Sequence, residues 1–228
     1  MLRSPTALAR FNYLVFASEH RNIASRTAEP FRVVSNPFCA AGFHLPDGSW
    51  VTFGGNAATT RNPAKVTGID DWGGKGPSPD YGVIDGRKAI RILKPCDGSP
   101  SSWGSSCQED NSHEMSRLRW YATTEALADG SLIIIGGMVY GGYINRSDKW
   151  FSEPAGRDKE TQHDNAENTV EFYPPRPDVG DKGVIASAFL ANAGGLNTYT
   201  HAFLMPSGKV HYRPNEVNCN TDPFCSCS

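Results

Sequence analysis

The stretch RWYATTEALADGSLIIIGG, Arg119 to Gly137, decides the fold class of this chain. It consists of an extended run to Leu127, the turn pair Asp129-Gly130, the apolar run Leu132 to Ile135 and a closing double glycine. Asp-Gly between two extended runs favours a tight hairpin turn, because the central positions of that turn need positive φ or a residue that tolerates it. The stretch therefore predicts a β-hairpin.

The same frame occurs twice more in the chain. FCAAGFHLPDGSWVTFGG, Phe38 to Gly55, has Asp47-Gly48 in the turn and a double glycine at the same seven-residue offset from the Asp. YTHAFLMPSGKVHY, Tyr199 to Tyr212, is a degraded copy with Ser207-Gly208 in the turn and no double glycine.

Hairpins that recur at spacings of roughly 80 residues, counting insertions, favour radial repetition. We predict an all-β fold made of antiparallel blades of a kelch-type β-propeller. A closed ring normally needs about four to eight blades. We therefore expect a partial β-propeller whose ring is not closed, in a chain that is part of a larger protein.

Composition agrees with this class. The chain has 228 residues, with 23 glycines, 16 prolines and 11% aromatic residues, which favours many short strands and turns. A net charge of −2 is too small to indicate a nucleic acid or a membrane surface as partner. No apolar run approaches the roughly 18 residues of a membrane span. The apolar run Tyr13 to Ala17, interrupted upstream by Arg10 and Asn12, is a poor signal peptide.

Three segments are expected along the chain. Residues 1–30 are unassigned, with helix and strand equally favoured; residues 31–213 form the blades; residues 214–228 are an irregular tail that contains cysteines. Further strands are predicted at Phe31–Ser35, Ala89–Leu93 and Thr169–Tyr173. Surface loops are predicted at Asn56–Pro79 and Cys96–Cys107.

A shared register points to one place in the fold. Cys39, Tyr121 and Tyr199 each lie eight residues before the Asp or Ser of their own turn. Equivalent registers of a propeller have a similar height and radius around the axis. We therefore expect a cysteine and a tyrosine to meet near one end of the central channel, where propellers usually bind ligands.

Five separated motifs carry a resemblance to a known family. They are FCAAGFHLPDGSWVTFGGN, DGRKAIRILKPC, RWYATTEALADGSLIIIGG, EFYPP and the region around NTYTHAFLMPSGKV. Together, over about residues 31–213, they resemble the N-terminal propeller of fungal glyoxal oxidases, which are secreted copper radical oxidases related to galactose oxidase. The resemblance implies an extracellular enzyme that oxidises simple aldehydes to carboxylic acids and reduces dioxygen to hydrogen peroxide.

The resemblance also implies roles for two residues. Cys39 would be the donor of a thioether cross-link, and Tyr121 would be both the radical tyrosine and a copper ligand. A phenol has a pKa of about 10, so it needs a cation such as Cu(II) to hold it as phenolate. A thioether ortho to the hydroxyl donates electron density and eases one-electron oxidation of the ring. The cofactors implied are copper and the Cys-Tyr thioether.

The copper site of the family needs more ligands than these. It is completed by an adjacent Tyr-His pair from a later blade and by a histidine from a C-terminal domain, and this sequence ends before either is expected. Tyr199-Thr200-His201 has the wrong spacing for that pair. We therefore expect the chain alone to be inactive. Val139 lies where galactose oxidase has a stacked tryptophan, which favours the glyoxal oxidase branch.

Cysteines outside the register have their own interpretations. In a secreted family, Cys96 and Cys107 flank a short loop and are expected to form a disulfide. Asn145-Arg146-Ser147 is a glycosylation sequon. The tail cysteines Cys219, Cys225 and Cys227 leave metal binding open, although a non-native tail is the favoured interpretation.

A second function remains open. Taken alone, Cys39 is typical of a small buried residue, and Tyr121 is typical of a core aromatic with a satisfied hydroxyl. A non-catalytic kelch-type scaffold or binding module is therefore the alternative to an oxidase.

Overall fold

The computed structural model describes residues 18–22, 26–31, 33–57, 84–94, 109–139, 166–193 and 197–213. Most of its regular structure is β-strand, and the paired strands are antiparallel. In chain order the elements are β1 Ser18–Asn22, β2 Thr27–Phe31, β3 Ala41–His44, β4 Trp50–Phe53, β5 Ala89–Leu93, β6 Glu109–Glu114, β7 Thr123–Ala126, β8 Leu132–Ile135, β9 Thr169–Tyr173, β10 Val184–Ala186, α1 Ala188–Asn192, β11 His201–Leu204 and β12 Val210–Arg213. Within these ranges no helix has the length and apolar character needed to cross a membrane.

The strands form two four-stranded meanders and two hairpins. The first sheet has the order β3-β4-β5-β6 and the second the order β7-β8-β9-β10, while β11 pairs with β12 and β1 with β2. Strands β3 and β11 both pack against β7, so the first strands of three successive repeats are neighbours. Two blades followed by the first hairpin of a third are a partial propeller arrangement, and the predicted all-β class is confirmed.

Each of the three repeat frames folds into the predicted hairpin, but its turn differs from the predicted one. In the first frame, the backbone N–H of Leu45 donates to the Ser49 carbonyl and that of Gly48 donates to the Leu45 carbonyl. The loop thus has three residues rather than two, and in it only the glycine has positive φ. The Asp47 carboxylate accepts the Ser49 N–H, which explains the acidic residue. The equivalent backbone bonds join Leu127 to Ser131 and Gly130, and Met205 to Lys209 and Gly208.

The predicted strand Phe31–Ser35 is wrong. Strand β2 ends at Phe31, and Ser35 forms only an isolated parallel bridge with Ile84. The backbone N–H groups of Asn36 and Ile84 donate to the carbonyls of Ile84 and Val34, both at 3.0 Å. The segment thus pairs with Ile84 at a single bridge and does not form part of a sheet. The predicted strands at Ala89–Leu93 and Thr169–Tyr173 are confirmed.

Several predictions fall wholly or partly outside the described residues. In the N-terminal segment, where helix and strand were equally favoured, residues 18–22 and 27–30 form strands of the β1–β2 hairpin. Residues 1–17 lie outside the described residues. The predicted surface loop Asn56–Pro79 begins with two buried residues, Asn56 and Ala57. The rest of the predicted loop lies outside the described residues. Cys96, Cys107, the sequon and the tail also lie outside.

Strand β8 is buried on both faces. Its side chains alternate, so Leu132 and Ile134 pack in a cluster with the first blade, whereas Ile133 and Ile135 pack towards the third hairpin. The first cluster also contains Val51, Phe53, Ile90 and Ile92. The second contains Val170 and Leu190, with Ala202 and Val210 packed against it. The apolar run of β8 is continuous because the first blade covers one face of its sheet and the third hairpin covers the other.

The double glycines join one repeat to the next. The N–H of Gly55 donates to the Arg119 carbonyl at 3.1 Å, and the N–H of Gly137 donates to the Asn197 carbonyl at 2.9 Å. A Cβ on Gly54 would lie 2.0 Å from the Arg119 carbonyl oxygen. Only glycine allows so close an approach at the positive φ of 73° found there.

Arg119 is buried between the two blades and fully paired. Its Nε donates to the Glu171 carboxylate at 2.7 Å, and its two terminal nitrogens donate to Gly136 and Thr169 oxygens. Its side chain has 0% exposure and that of Glu171 has 6%. Removing one partner of such a pair leaves a buried charge uncompensated, so the pair constrains how the RWY segment sits on the second blade.

Two glycine variants should separate backbone strain from contact between repeats. Gly208 has a positive φ of 76° with nothing within 4 Å of an added Cβ, so Gly208→Ala should cost only the left-handed backbone penalty of about 1–2 kcal/mol. Gly54→Ala carries a similar penalty and also the clash with Arg119, which adds about 1–3 kcal/mol or more. The free energy of unfolding, measured in urea, checks this. Equal losses for the two variants would contradict the close approach between repeats.

Candidate functional site

Three residues of one register lie together where the repeats meet. Cys39, Tyr121 and Tyr199 each precede the first strand of their repeat by two residues. All three have positive φ, of 60°, 57° and 44° respectively. Positive φ is uncommon for residues other than glycine, and such residues often mark functional sites. The shared backbone conformation makes the three positions structurally equivalent.

Backbone hydrogen bonds link the three positions in sequence. The Tyr121 N–H donates to the Cys39 carbonyl at 3.2 Å, and the Tyr199 N–H donates to the Tyr121 carbonyl at 2.8 Å. Each register residue thus binds the equivalent residue of the preceding repeat. The structure brings Cys39 and Tyr121 together, and it adds Tyr199 to them.

The side chains of the three residues are also in contact. The Tyr121 and Tyr199 rings have centroids 5.0 Å apart and lie edge to face at 84°. The Cys39 side chain, which is a free thiol, lies close enough to both hydroxyls to contribute to the raised pKa of each. An ortho ring carbon is two bonds from the hydroxyl oxygen, so a sulfur in contact with that oxygen is also near the carbon at which a thioether would form.

A tryptophan contacts Tyr121 as well. The Trp120 and Tyr121 ring centroids are 4.1 Å apart, with 47° between the ring planes. The Val139 carbonyl accepts a hydrogen bond from Arg87 Nη1 at 2.7 Å. Among the described residues, Trp120 and Tyr199 are aromatic neighbours of Tyr121. Sequence reasoning assigned neither of them a role, although Tyr199 had been placed in the register.

The environment keeps both phenols neutral. Burial, with the contact with Cys39 adding to it, raises the pKa of Tyr121 to about 12. Burial also raises the pKa of Tyr199, with further contributions from Cys39 and Tyr121. At neutral pH both hydroxyls are therefore protonated and can donate to the sulfur. A metal ion that bound either oxygen as phenolate would have to displace this proton.

The site is open on one side. Tyr199 is 42% exposed and Phe38, next to Cys39, is 46% exposed, whereas Cys39 and Tyr121 are partly buried. The Tyr199 side of the cluster is therefore its more solvent-exposed side.

The donor atoms at this site are two phenol oxygens and one thiol. Within the described ranges, no group of three or more His, Cys, Asp or Glu side chains could hold a metal ion. His44 stacks edge to face on Trp50, and His201 and His211 lie on the two strands of the third hairpin. Cu(II) accepts oxygen and imidazole ligands, so the described residues fit the oxygen half of a copper site. Tyr121 would supply that donor.

Comparisons with known proteins agree with an oxidase relationship. The sequence matches no family model. It is 27% identical over 184 residues to the aldehyde oxidase GLOX of Vitis pseudoreticulata, covering 79% of this chain and 24% of that protein. The chain thus spans about a quarter of its curated relative and is distantly related to it.

The comparison with solved structures also gives a match. A fungal alcohol oxidase of the AA5 family, in complex with copper, superposes with a TM-score of 0.46 at 16% identity, over 85% of this chain and 32% of that chain.

The contact between Cys39 and Tyr121 should be visible in the ionisation of the phenol. Cys39→Ala should lower the pKa of Tyr121 from about 12 towards the ordinary value without reaching it, because burial remains. At about pH 11, one unit above the ordinary tyrosine pKa of about 10, the Ala variant should show more phenolate absorbance than the parent. Cys39→Ser, which keeps a hydrogen-bonding group, is the control. Tyr121→Phe in each background assigns the signal, and identical curves for Ala and parent would contradict the contact.

Proposed function

We propose that this chain forms the propeller part of an extracellular copper radical oxidase of the glyoxal oxidase type. Such an enzyme oxidises simple aldehydes to carboxylic acids while dioxygen is reduced to hydrogen peroxide. The observation that carries the proposal is that Cys39 and Tyr121 occupy the same register of neighbouring repeats and are joined by a backbone hydrogen bond of 3.2 Å. The distant relationship to an aldehyde oxidase supports it.

Cys39 and Tyr121 have separate roles in this proposal. Cys39 donates the sulfur of a thioether to an ortho carbon of Tyr121. The modified phenol is then easier to oxidise by one electron and serves as the radical residue and as a metal ligand. Bound copper would hold the phenolate and take the second electron of a two-electron oxidation.

The surroundings of Tyr121 suit these roles. Its backbone is held by the bond to Cys39 and by the bond from Tyr199. Arg119, two residues before it, is fixed by Glu171. Trp120 and Tyr199 cover parts of the ring, and rigid neighbours keep water and stray reductants from much of a reactive ring. The open side at Tyr199 provides access for a small aldehyde and for dioxygen.

Oxidase activity is proposed for a protein that includes further ligands. The described residues supply oxygen and sulfur donors at the site, and Cu(II) in such a site also needs imidazole ligands. The chain spans 24% of the aldehyde oxidase that it matches. Substrate, secretion and the reaction itself therefore belong to the whole protein.

The second candidate is a non-catalytic propeller scaffold or binding module. It is favoured by the lack, among the described residues, of any three-residue group of His, Cys, Asp or Glu that could hold a metal. In a scaffold, Cys39 and Tyr121 would only pack, and their substitution would change stability alone.

Mass spectrometry after incubation with Cu(II) in air distinguishes the two candidates. The oxidase proposal predicts a Cys39–Tyr121 cross-linked peptide that lacks two hydrogen atoms and survives reductant. Cys39→Ser and Tyr121→Phe should abolish that peptide, whereas Tyr212→Phe, whose hydroxyl lies against Ser187, should leave it unchanged. A folded parent chain that forms no such peptide would favour the scaffold.

A further inference from the structure

Tyr199 lies in the same cluster as Cys39 and Tyr121. It has the same register, a positive φ of 44° and a backbone bond to the neighbouring register residue at 2.8 Å. Its ring centroid lies 5.0 Å from that of Tyr121, and the Cys39 side chain is close enough to contribute to the raised pKa of its hydroxyl. Cys39 is thus a single thiol between two phenols.

We propose that Tyr199 is a second acceptor for the Cys39 thioether, so that the chain can form either of two isomeric cross-links. The proposal rests on the oxidative chemistry of the proposed function, but it concerns a residue and a bond that this function does not include. One sulfur can join only one ring, so the two products exclude each other.

The chemistry is the same for both rings. The S–H bond of Cys39 and an ortho C–H bond of the tyrosine break, an S–C bond forms, and two protons and two electrons leave. Dioxygen, assisted by a cupric ion, accepts both and becomes hydrogen peroxide. The phenol hydroxyl is retained, and it is this group that makes the ring easy to oxidise, so phenylalanine at either position cannot replace it.

The surroundings favour Tyr121 without excluding Tyr199. Tyr121 is partly buried, contacts Trp120 and leads into a four-stranded blade. Tyr199 is 42% exposed and leads into β11, which belongs to a two-stranded sheet in the part of the chain that the structure describes. The more firmly held ring should be the principal acceptor. Tyr199 should then be the minor acceptor, and it should become the principal one when Tyr121 lacks its hydroxyl.

Peptide mapping of four proteins tests this. The full chain, Tyr121→Phe, Tyr199→Phe and the double variant are incubated with copper sulfate in air, and separately with a ruthenium photo-oxidant and persulfate, which oxidises phenols without a metal site. The parent should give mainly the Cys39–Tyr121 peptide and a smaller amount of Cys39–Tyr199. Tyr121→Phe should give several-fold more Cys39–Tyr199 than the parent, Tyr199→Phe only Cys39–Tyr121, and the double variant neither.

The outcomes separate this inference from the proposed function. Circular dichroism and the thermal transition first establish that Tyr121→Phe is folded like the parent. If the folded variant gives no Cys39–Tyr199 peptide while the parent gives Cys39–Tyr121, the inference is wrong and the proposed function stands. If Cys39–Tyr199 forms and Cys39–Tyr121 does not, the inference stands and the role of Tyr121 is wrong. Neither peptide under either oxidant would overturn both.

Discussion

A pair of backbone hydrogen bonds joins each repeat to the next, and the rest of the structure depends on it. Between the first two repeats, the Gly55 N–H donates to Arg119 and the Tyr121 N–H donates to Cys39. The same pair recurs one repeat later, from Gly137 to Asn197 and from Tyr199 to Tyr121. The glycine before each donor is required at the first bond, because a Cβ on Gly54 or Gly136 would lie 2.0 Å or 2.8 Å from the accepting carbonyl oxygen. The second bond joins register residues that all have positive φ.

This constraint connects folding with chemistry. Tyr121 and Tyr199 donate the second backbone bond between repeats, and their side chains also form the candidate site. Arg119 extends the connection outward, because its carbonyl accepts the bond from Gly55 while its guanidinium binds Glu171 and Thr169 on β9. The position of Tyr121 is therefore coupled to the first blade through backbone and to the second through a buried ion pair. Substitution of Arg119 should therefore shift the position of Tyr121.

Local patterns predicted the features that local physics determines. The turn residues, the double glycines and the apolar run of β8 all follow from hairpin geometry and burial, and their positions were predicted correctly. The turn itself has three residues, because the acidic side chain stabilises a loop in which only glycine needs positive φ. The strand at Phe31–Ser35 was wrong because its partner, Ile84, is distant in sequence and local composition cannot reveal it.

Part of the site was predictable because local turn patterns fix the register of the residues that precede each turn. Counting from the turn placed Cys39, Tyr121 and Tyr199 in one register, and that was enough to expect a meeting of cysteine and tyrosine. The closeness of the Cys39 thiol to both hydroxyls depends on side-chain directions that a register does not specify. The buried Arg91 and Arg119 were also missed, since charged side chains are usually exposed. Their burial depends on hydroxyl, carbonyl and carboxylate acceptors from four separate segments.

The central claim is that the register residues of three successive repeats converge at one point. Nuclear Overhauser effects in a sample with labelled tyrosine and cysteine test it most directly, with Tyr121→Phe and Tyr199→Phe used to assign the two rings. We expect cross-peaks between the ring protons of Tyr121 and Tyr199, and between the Cys39 β protons and both rings. A folded sample in which Cys39 shows no cross-peak to either ring would contradict the claim.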